Sequence, residues 1–379
     1  MDVAREYIDG TEAIVRGALH AGCDFFAGYP ITPSSGVLVR MMRELPKIGG
    51  MAVQGEDEIA SIGMCIAASM AGRRPLTATS GPGISLYSEN LGLAIMGEVP
   101  LVIVNVQRLG PATGGATTGA EGDVQFVQWV TSGGLPMVVL SPTDVASSYW
   151  LTTVAFRLAE RLRIPVILNT SKDLVQTMET VDVSAWKKVP VEPRTPFGGA
   201  APYVPYRFDR LGDVPQFLPV GADLQVRFTT SMHDEHGNLT KKLAKVDRTF
   251  RHLQEKVLAH LDELVLVEED RQEGADTLVV ASGVSARSSR AAVNMVRARG
   301  GKVSMLTVYS VWPVPEAAIR KAAEGVSRVV VPEMNVGLYR REIERLLPNR
   351  KTIGVNRVDG EVLTPDEIIR TGELEGGVA

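Results

Sequence analysis

Three side chains stand where chemistry can be done. Thr32 comes just after the apolar stretch 23–29 and before Pro33, Glu58 closes the acidic trio Glu56-Asp57-Glu58, and Arg108 follows the apolar run VPLVIVNV. A hydroxyl can bind an anion, a carboxyl can hold or move a proton, and a guanidinium can grip a carboxylate with two parallel bonds. Each has a plainer part open to it. With Pro33 at a first helical position, Thr32 is a good N-cap. The acidic trio complements a helix dipole, and periodicity does not say which of the three carboxylates points inward. Arg108 can pair with Glu56, Asp57 or Asp123. Ser80-Gly81-Pro82-Gly83 suits a tight turn as well as a ligand cradle. His233-Asp234-Glu235-His236 has the residue types of a metal site, yet its spacing fits no zinc template and Gly237 follows, so a solvated loop is expected.

The elements that must position these residues alternate between helix and strand. Apolar runs near 23–29, 51–54, 76–79, 99–106, 136–140 and 164–169 read as strands of a doubly wound parallel sheet, covered on both faces. Ligands of such sheets bind beyond the carboxyl ends of the strands. Thr32, Glu58, Ser80, Arg108, Ser141-Pro142-Thr143-Asp144 and Thr170-Ser171-Lys172-Asp173 all follow strands, so polar chemistry gathers at one edge. Residues 1–185 are therefore expected to form one domain.

From 186 to 272 the period lapses. Phe197, Tyr203, Tyr206, Phe208 and Phe217 mark an ordered segment wrapped on the protein rather than a free tether. Leu243, Val246, Phe250, Leu253, Val257, Leu261 and Leu264 then recur every three or four residues, the stripe of one amphipathic helix over 241–265. The alternation restarts in 273–379, a second and smaller α/β domain, with strands DTLVVAS, KVSMLTV and SRVVVPE.

Composition removes several classes of function. The 379 residues are 45% hydrophobic and 22% charged, with a net charge of -4, as in an ordinary globular protein. No basic field suits nucleic acid, no apolar run approaches the ~20 residues that span a bilayer, and MDVAREYIDG is too polar for a signal peptide, so a cytoplasmic protein is expected. Cys23 and Cys65 are too few for an iron–sulfur cluster and read as buried thiols. There is no GxSxG elbow, P-loop or GxGxxG after a strand.

GYPITPSS (28–35), EDEIASIG (56–63), ATSGPGISL (78–86), VNVQRLGPATG (104–114), HDEHGNLT (233–240) and PEMN (332–335) together resemble the α subunit of 2-oxoacid:ferredoxin oxidoreductases, the 2-oxoglutarate type most of all. The resemblance implies a thiamine-diphosphate pyrimidine-binding domain followed by a transketolase-C-terminal-like domain. It implies that Glu58 holds the aminopyrimidine ring, favouring the imino tautomer that removes the thiazolium proton. By the same carry-over Thr32 and Arg108 hold the 2-oxoacid's carboxylate, and Tyr29, Pro30, Ser80 and Gly81 lie against the cofactor. The implied reaction is CoA-dependent oxidative decarboxylation, with electrons leaving to ferredoxin. Gly212-Asp213-Val214 with Asn238 is a poor imitation of the family's magnesium and diphosphate motif. The resemblance therefore assigns Mg2+, the diphosphate half of the cofactor and an iron–sulfur cluster to a β subunit, with γ and δ subunits as further partners. Leu109 and Ala112 stand where the family carries glycine and serine, which leaves a branched-chain, aryl or pyruvate-type 2-oxoacid as alternatives. A lipoamide-coupled dehydrogenase component and a non-catalytic scaffold subunit are the rival readings.

Overall fold

Burial on both faces turns the apolar runs into the centre of a parallel sheet. The computed structural model describes residues 4–374, so 1–3 and 375–379, the ends of the two expected domains, lie outside the described residues. Seven strands lie in the order Ser310–Trp312, Val138–Leu140, Pro165–Ser171, Leu101–Gln107, Pro75–Thr79, Phe25–Gly28 and Met51–Gln54. Neighbours are parallel except Ser310–Trp312, which runs antiparallel to Val138–Leu140. Every residue of Leu101–Gln107 and Pro165–Ser171 is buried. All six expected strands are therefore present, and their shared direction puts their carboxyl ends at one edge. Met51–Gln54 departs from the expected cover on both faces: it is the last strand of the sheet, with Met51 and Gln54 exposed.

The second sheet has the order Lys351–Asn356, Arg328–Glu333, Thr277–Ala281, Ser304–Val308 and Val267–Asp270. It is not sealed off from the first. Ser310–Trp312 leaves the second α/β unit to edge the first sheet, and buried Trp312 donates from Nε1 to the Val124 carbonyl at 2.6 Å. A third sheet pairs Arg5–Asp9 with Met178–Asp182. No helix among the described residues is long and apolar enough to cross a membrane.

The aromatic segment is folded onto the amino-terminal edge of the first sheet. Tyr203 and Tyr206 are buried, and the Arg194 guanidinium lies 4.5 Å from the Phe217 ring while it grips Glu160 through two nitrogens. The amphipathic helix is shorter than its stripe. It spans Leu243–Leu258, breaks at Ala259 and His260, and resumes as Leu261–Leu264. Only the later stripe residues are buried: Leu253, Val257 and Leu264 are covered, whereas Leu243 is 85% exposed.

Lys256 is buried in this helix among apolar neighbours, where an unpaired ammonium would be intolerable. Its Nζ lies 2.5 Å from Glu98 Oε2 and also donates to the Arg163 carbonyl, while His252 Nε2 is 3.4 Å from the same carboxylate. Burial is the largest single influence on Glu98 and would raise its pKa, but Lys256, His252 and Arg163 together outweigh it and hold the carboxyl well below the usual range. Replacing one partner strands the other. Lys256→Met should cost about 3–5 kcal/mol in denaturant unfolding, and Glu98→Gln in the same chain should restore most of it. Equal stability of the single variant and the parent would show that the pair contributes nothing.

Candidate active site

Three loops at the carboxyl edge of the first sheet bring the sequence-selected residues together. Glu58 begins the helix Glu58–Met70 and is the buried member of its trio, 6% exposed, whereas Glu56 and Asp57 are exposed. Asp57 takes the capping duty instead, accepting from the Ala60 backbone N–H at 2.7 Å. The Glu58 carboxylate has no hydrogen-bond donor among the described residues. Beside it, a Cβ on Gly83 would press on Glu58 Cγ and Oε1 at 2.8 Å, so glycine there leaves Glu58 its room. On the same helix a Cβ at Gly63 would meet nothing, and that face stands open.

Thr32 does not cap a helix. The chain closes a turn first, with Ser34 Oγ and the Ser35 backbone N–H both donating to the Ile31 carbonyl, and the helix begins at Ser35. Thr32 is exposed beside half-buried Tyr29 and exposed Pro30. Its carbonyl accepts from Arg108 Nη1 at 2.5 Å. Arg108 pairs with none of the carboxylates weighed for it. It is 4% exposed, Nη2 donates to the Thr113 carbonyl at 3.2 Å, and Nε is buried without a partner. Asp123 accepts instead from Asn105 Nδ2 at 3.0 Å, and burial raises its carboxyl above the usual range. Gly81 has φ +46° and lies against Arg108, where a Cβ would come within 3.2 Å of Nε.

The edge also holds buried polar atoms with nothing to bond. Thr79 Oγ1, Ser80 Oγ, Thr170 Oγ1 and Ser171 Oγ are all buried without partners, at the carboxyl ends of the two strands that flank Leu101–Gln107. Buried polar atoms are nearly always satisfied, and a row of exceptions marks a place where a ligand completes them. Sequence reasoning placed Thr170 and Ser171 at this edge but passed over Thr79 and Asn169. Their signal is register: Thr79, Asn105 and Asn169 face one another across three strands, and Asn105 Nδ2 donates to Asn169 Oδ1 at 2.9 Å.

The glycine-rich loop after Arg108 is fastened to the second α/β unit. The Glu121 backbone N–H donates to the Met334 carbonyl, and its side chain accepts from the Val284 N–H at the head of the helix Gly283–Ala298. Burial pushes the Glu121 carboxyl up to about 7. Two expectations elsewhere also find their outcome. Cys23 and Cys65 are buried free thiols. His233, expected in a solvated loop, is instead 1% exposed, because Tyr206 packs edge-on against it with ring centroids 3.8 Å apart.

At this edge a buried carboxyl heads a helix of small residues, and buried hydroxyls without partners lie at the ends of nearby strands. The family match defines the class, a thiamine-diphosphate-binding α/β protein. The family model for pyruvate flavodoxin/ferredoxin oxidoreductase, thiamine diphosphate-binding, matches residues 16–251, and that for pyruvate:ferredoxin oxidoreductase core domain II matches 275–368. The chain belongs to the 2-oxoacid:ferredoxin oxidoreductase family, as an α-type subunit. It is 36% identical to 2-oxoglutarate synthase subunit KorA of Methanocaldococcus jannaschii, over 96% of this chain and 98% of that one. Ketoisovalerate oxidoreductase subunit VorB of Methanothermobacter marburgensis is 32% identical over 97% of each. A solved 2-oxoglutarate:ferredoxin oxidoreductase from Magnetococcus marinus, with 2-oxoglutarate, coenzyme A and succinyl-CoA bound, superposes with a TM-score of 0.92 at 30% identity. The match covers 98% of this chain and 65% of that longer one. A split gene transketolase, with TM-score 0.54 and 14% identity, shares the fold alone.

Proposed function

We propose that this chain is the α subunit of a CoA-dependent 2-oxoglutarate:ferredoxin oxidoreductase that forms its active site with a β subunit. The observation that carries the reading is Glu58: a carboxyl that is buried, free of donors and placed beside the room that Gly83 leaves. Such a group fits the ring nitrogen of an aminopyrimidine, an acceptor with which a carboxyl can share its proton. Ser80 Oγ and Gly81 line the same edge, and the segment Tyr29–Thr32, with Pro30 and Thr32 exposed, offers a wall that a second chain can close. Thiamine diphosphate, when bound, supplies the nucleophilic carbon that attacks the 2-oxo group and accepts the electron pair released with carbon dioxide.

In this reading each residue of the chain has one task. Glu58 holds a proton on the ring, in a site dry enough to make that bond strong. Arg108 turns its guanidinium to the substrate carboxylate, pre-aimed by the carbonyls of Thr32 and Thr113. Thr32 adds its hydroxyl. Magnesium, the diphosphate half of the cofactor and the iron–sulfur cluster fall to the β subunit. Ferredoxin is the electron acceptor, with γ and δ subunits as further partners.

The substrate is proposed as 2-oxoglutarate because the 36% identical relative and the solved structure both carry that name. Leu109 beside Arg108, and the 32% identity to a ketoisovalerate oxidoreductase subunit, favour a branched-chain 2-oxoacid as the second reading. One assay decides between them. The native complex, given CoA and a viologen acceptor, should turn over 2-oxoglutarate with the highest kcat/KM among 2-oxoglutarate, pyruvate, 2-oxoisovalerate and an aryl 2-oxoacid. Preference for 2-oxoisovalerate would reassign the substrate. Activity with lipoamide and none with viologen would remove the ferredoxin chemistry.

A further inference from the structure

The amino-terminal edge of the first sheet carries a cavity of about 450 Å³ that the reaction does not use. Its walls come from the aromatic segment, the HDEH hairpin and the helix Leu243–Leu258, and its floor reaches Glu98. The residues lining it are unusual in what they leave undone. His233 lines the cavity at 1% exposure with neither ring nitrogen bonded, and Tyr206, 3% exposed, has an unpartnered hydroxyl. His252 is stacked on Phe208 at 3.8 Å, with Nδ1 also unbonded. Buried polar atoms of this kind are normally satisfied, so three side chains failing in one cavity indicate a missing partner.

The charges say what that partner carries. The floor is closed to a cation or an anion, because the Glu98 carboxylate is taken up by Lys256 and His252. On the walls Glu235 is paired with Lys245, and Asp234 accepts from the His236 and Asn238 backbone N–H groups. The cations left with unused donors are Arg207, whose side chain makes no hydrogen bond or ion pair among the described residues, and Arg248. Arg248 lies over the Phe208 ring at 4.6 Å and spends a single bond on the Phe208 carbonyl. Asp209 lines the cavity at an exposed position, as the two arginines do, and makes no ion pair with either of them. Two guanidinium groups with free donors above a neutral floor of tyrosine and histidine match an oxyanion attached to a small polar body. Burial lowers the His233 pKa, so its ring is neutral and offers one donor and one acceptor.

We infer that this cavity is a second small-molecule site, in which Arg207 and Arg248 bind the carboxylate or phosphate of a metabolite and Tyr206 and His233 bond its body. The site stands apart from the catalytic edge. The strand Leu101–Gln107 begins just after Glu98 and ends at Arg108, and at about 3.3 Å per residue it separates the two by roughly 20 Å. An occupant therefore does not displace the substrate.

The test is calorimetric titration of the purified full-length complex, with citrate as the carboxylate probe in one arm and AMP as the phosphate probe in the other. At least one should bind saturably, and the arm that responds identifies the anion. Arg207→Ala/Arg248→Ala, both at exposed positions, should weaken that binding tenfold or more, about 1.4 kcal/mol, with unchanged viologen-linked activity. Tyr206→Phe should weaken it several-fold. Absence of binding by both probes overturns the proposal, and so does binding that survives the double arginine substitution, since it then belongs to another site.

Discussion

Glu58→Gln should lower thiamine-dependent turnover of the 2-oxoacid by about a hundredfold to ten-thousandfold, the span that a positioned acid–base group contributes. The substitution keeps the volume of a side chain held against Gly83, so the fold should survive it. What it removes is a group that can hold and release a proton. A glutamine amide can still bond a ring nitrogen but cannot share a proton across that bond. The loss should fall on kcat and kcat/KM alike, with KM for the 2-oxoacid little changed, because the carboxyl touches the cofactor and not the substrate. The affinity of the complex for thiamine diphosphate, read by fluorescence titration, should weaken only modestly. Normal turnover in the folded Glu58→Gln complex would remove Glu58 from the mechanism and return the scaffold reading.

Arg108→Ala should show the opposite kinetic pattern. Removing one partner of a buried, hydrogen-bonded charge pair costs about 2–5 kcal/mol, so kcat/KM should drop by roughly thirtyfold to several-thousandfold, most of it as raised KM. Arg108→Lys should recover little of this. The guanidinium reaches two carbonyls, those of Thr32 and Thr113, and still has donors to spare, whereas an ammonium has no planar fork to share between the loops and a carboxylate. Thr32→Val should cost less, about tenfold, since the carbonyl that aims Arg108 is retained and only the hydroxyl is lost. Unchanged KM in Arg108→Ala would place the substrate carboxylate elsewhere, on the partner chain's wall.

Leu109 adjoins this arginine and is pinned by its own backbone. Its N–H donates to the Thr118 carbonyl and its carbonyl accepts from Gly115, so the loop holds it beside the site whatever its side chain. This gives the Leu109 position leverage over substrate choice that does not depend on loop stability.

The sequence by itself determined the main sheet and the edge that matters. Continuous apolar runs such as VPLVIVNV needed cover on both faces, which in a chain of alternating helices means a parallel sheet, and parallel strands deliver every following residue to the same side. Thr32, Glu58, Ser80 and Arg108 were therefore legible as neighbours from order alone. Strands without that signature were not. Val267–Asp270 reads VEED and Lys351–Asn356 is mostly half-buried, so neither has an apolar run, and Ser310–Trp312 is three residues long. The tertiary structure alone decided which carboxylate of the acidic trio turns inward, because three adjacent residues share one hydropathy and only the packing of Gly83 and the helix Glu58–Met70 separates them. It also decided that Thr32 offers Arg108 a carbonyl, that Lys256 lies buried on Glu98, and that His233 faces a cavity. Each of those depends on partners 76, 158 or 27 positions distant in the chain, and local periodicity carries no information about them.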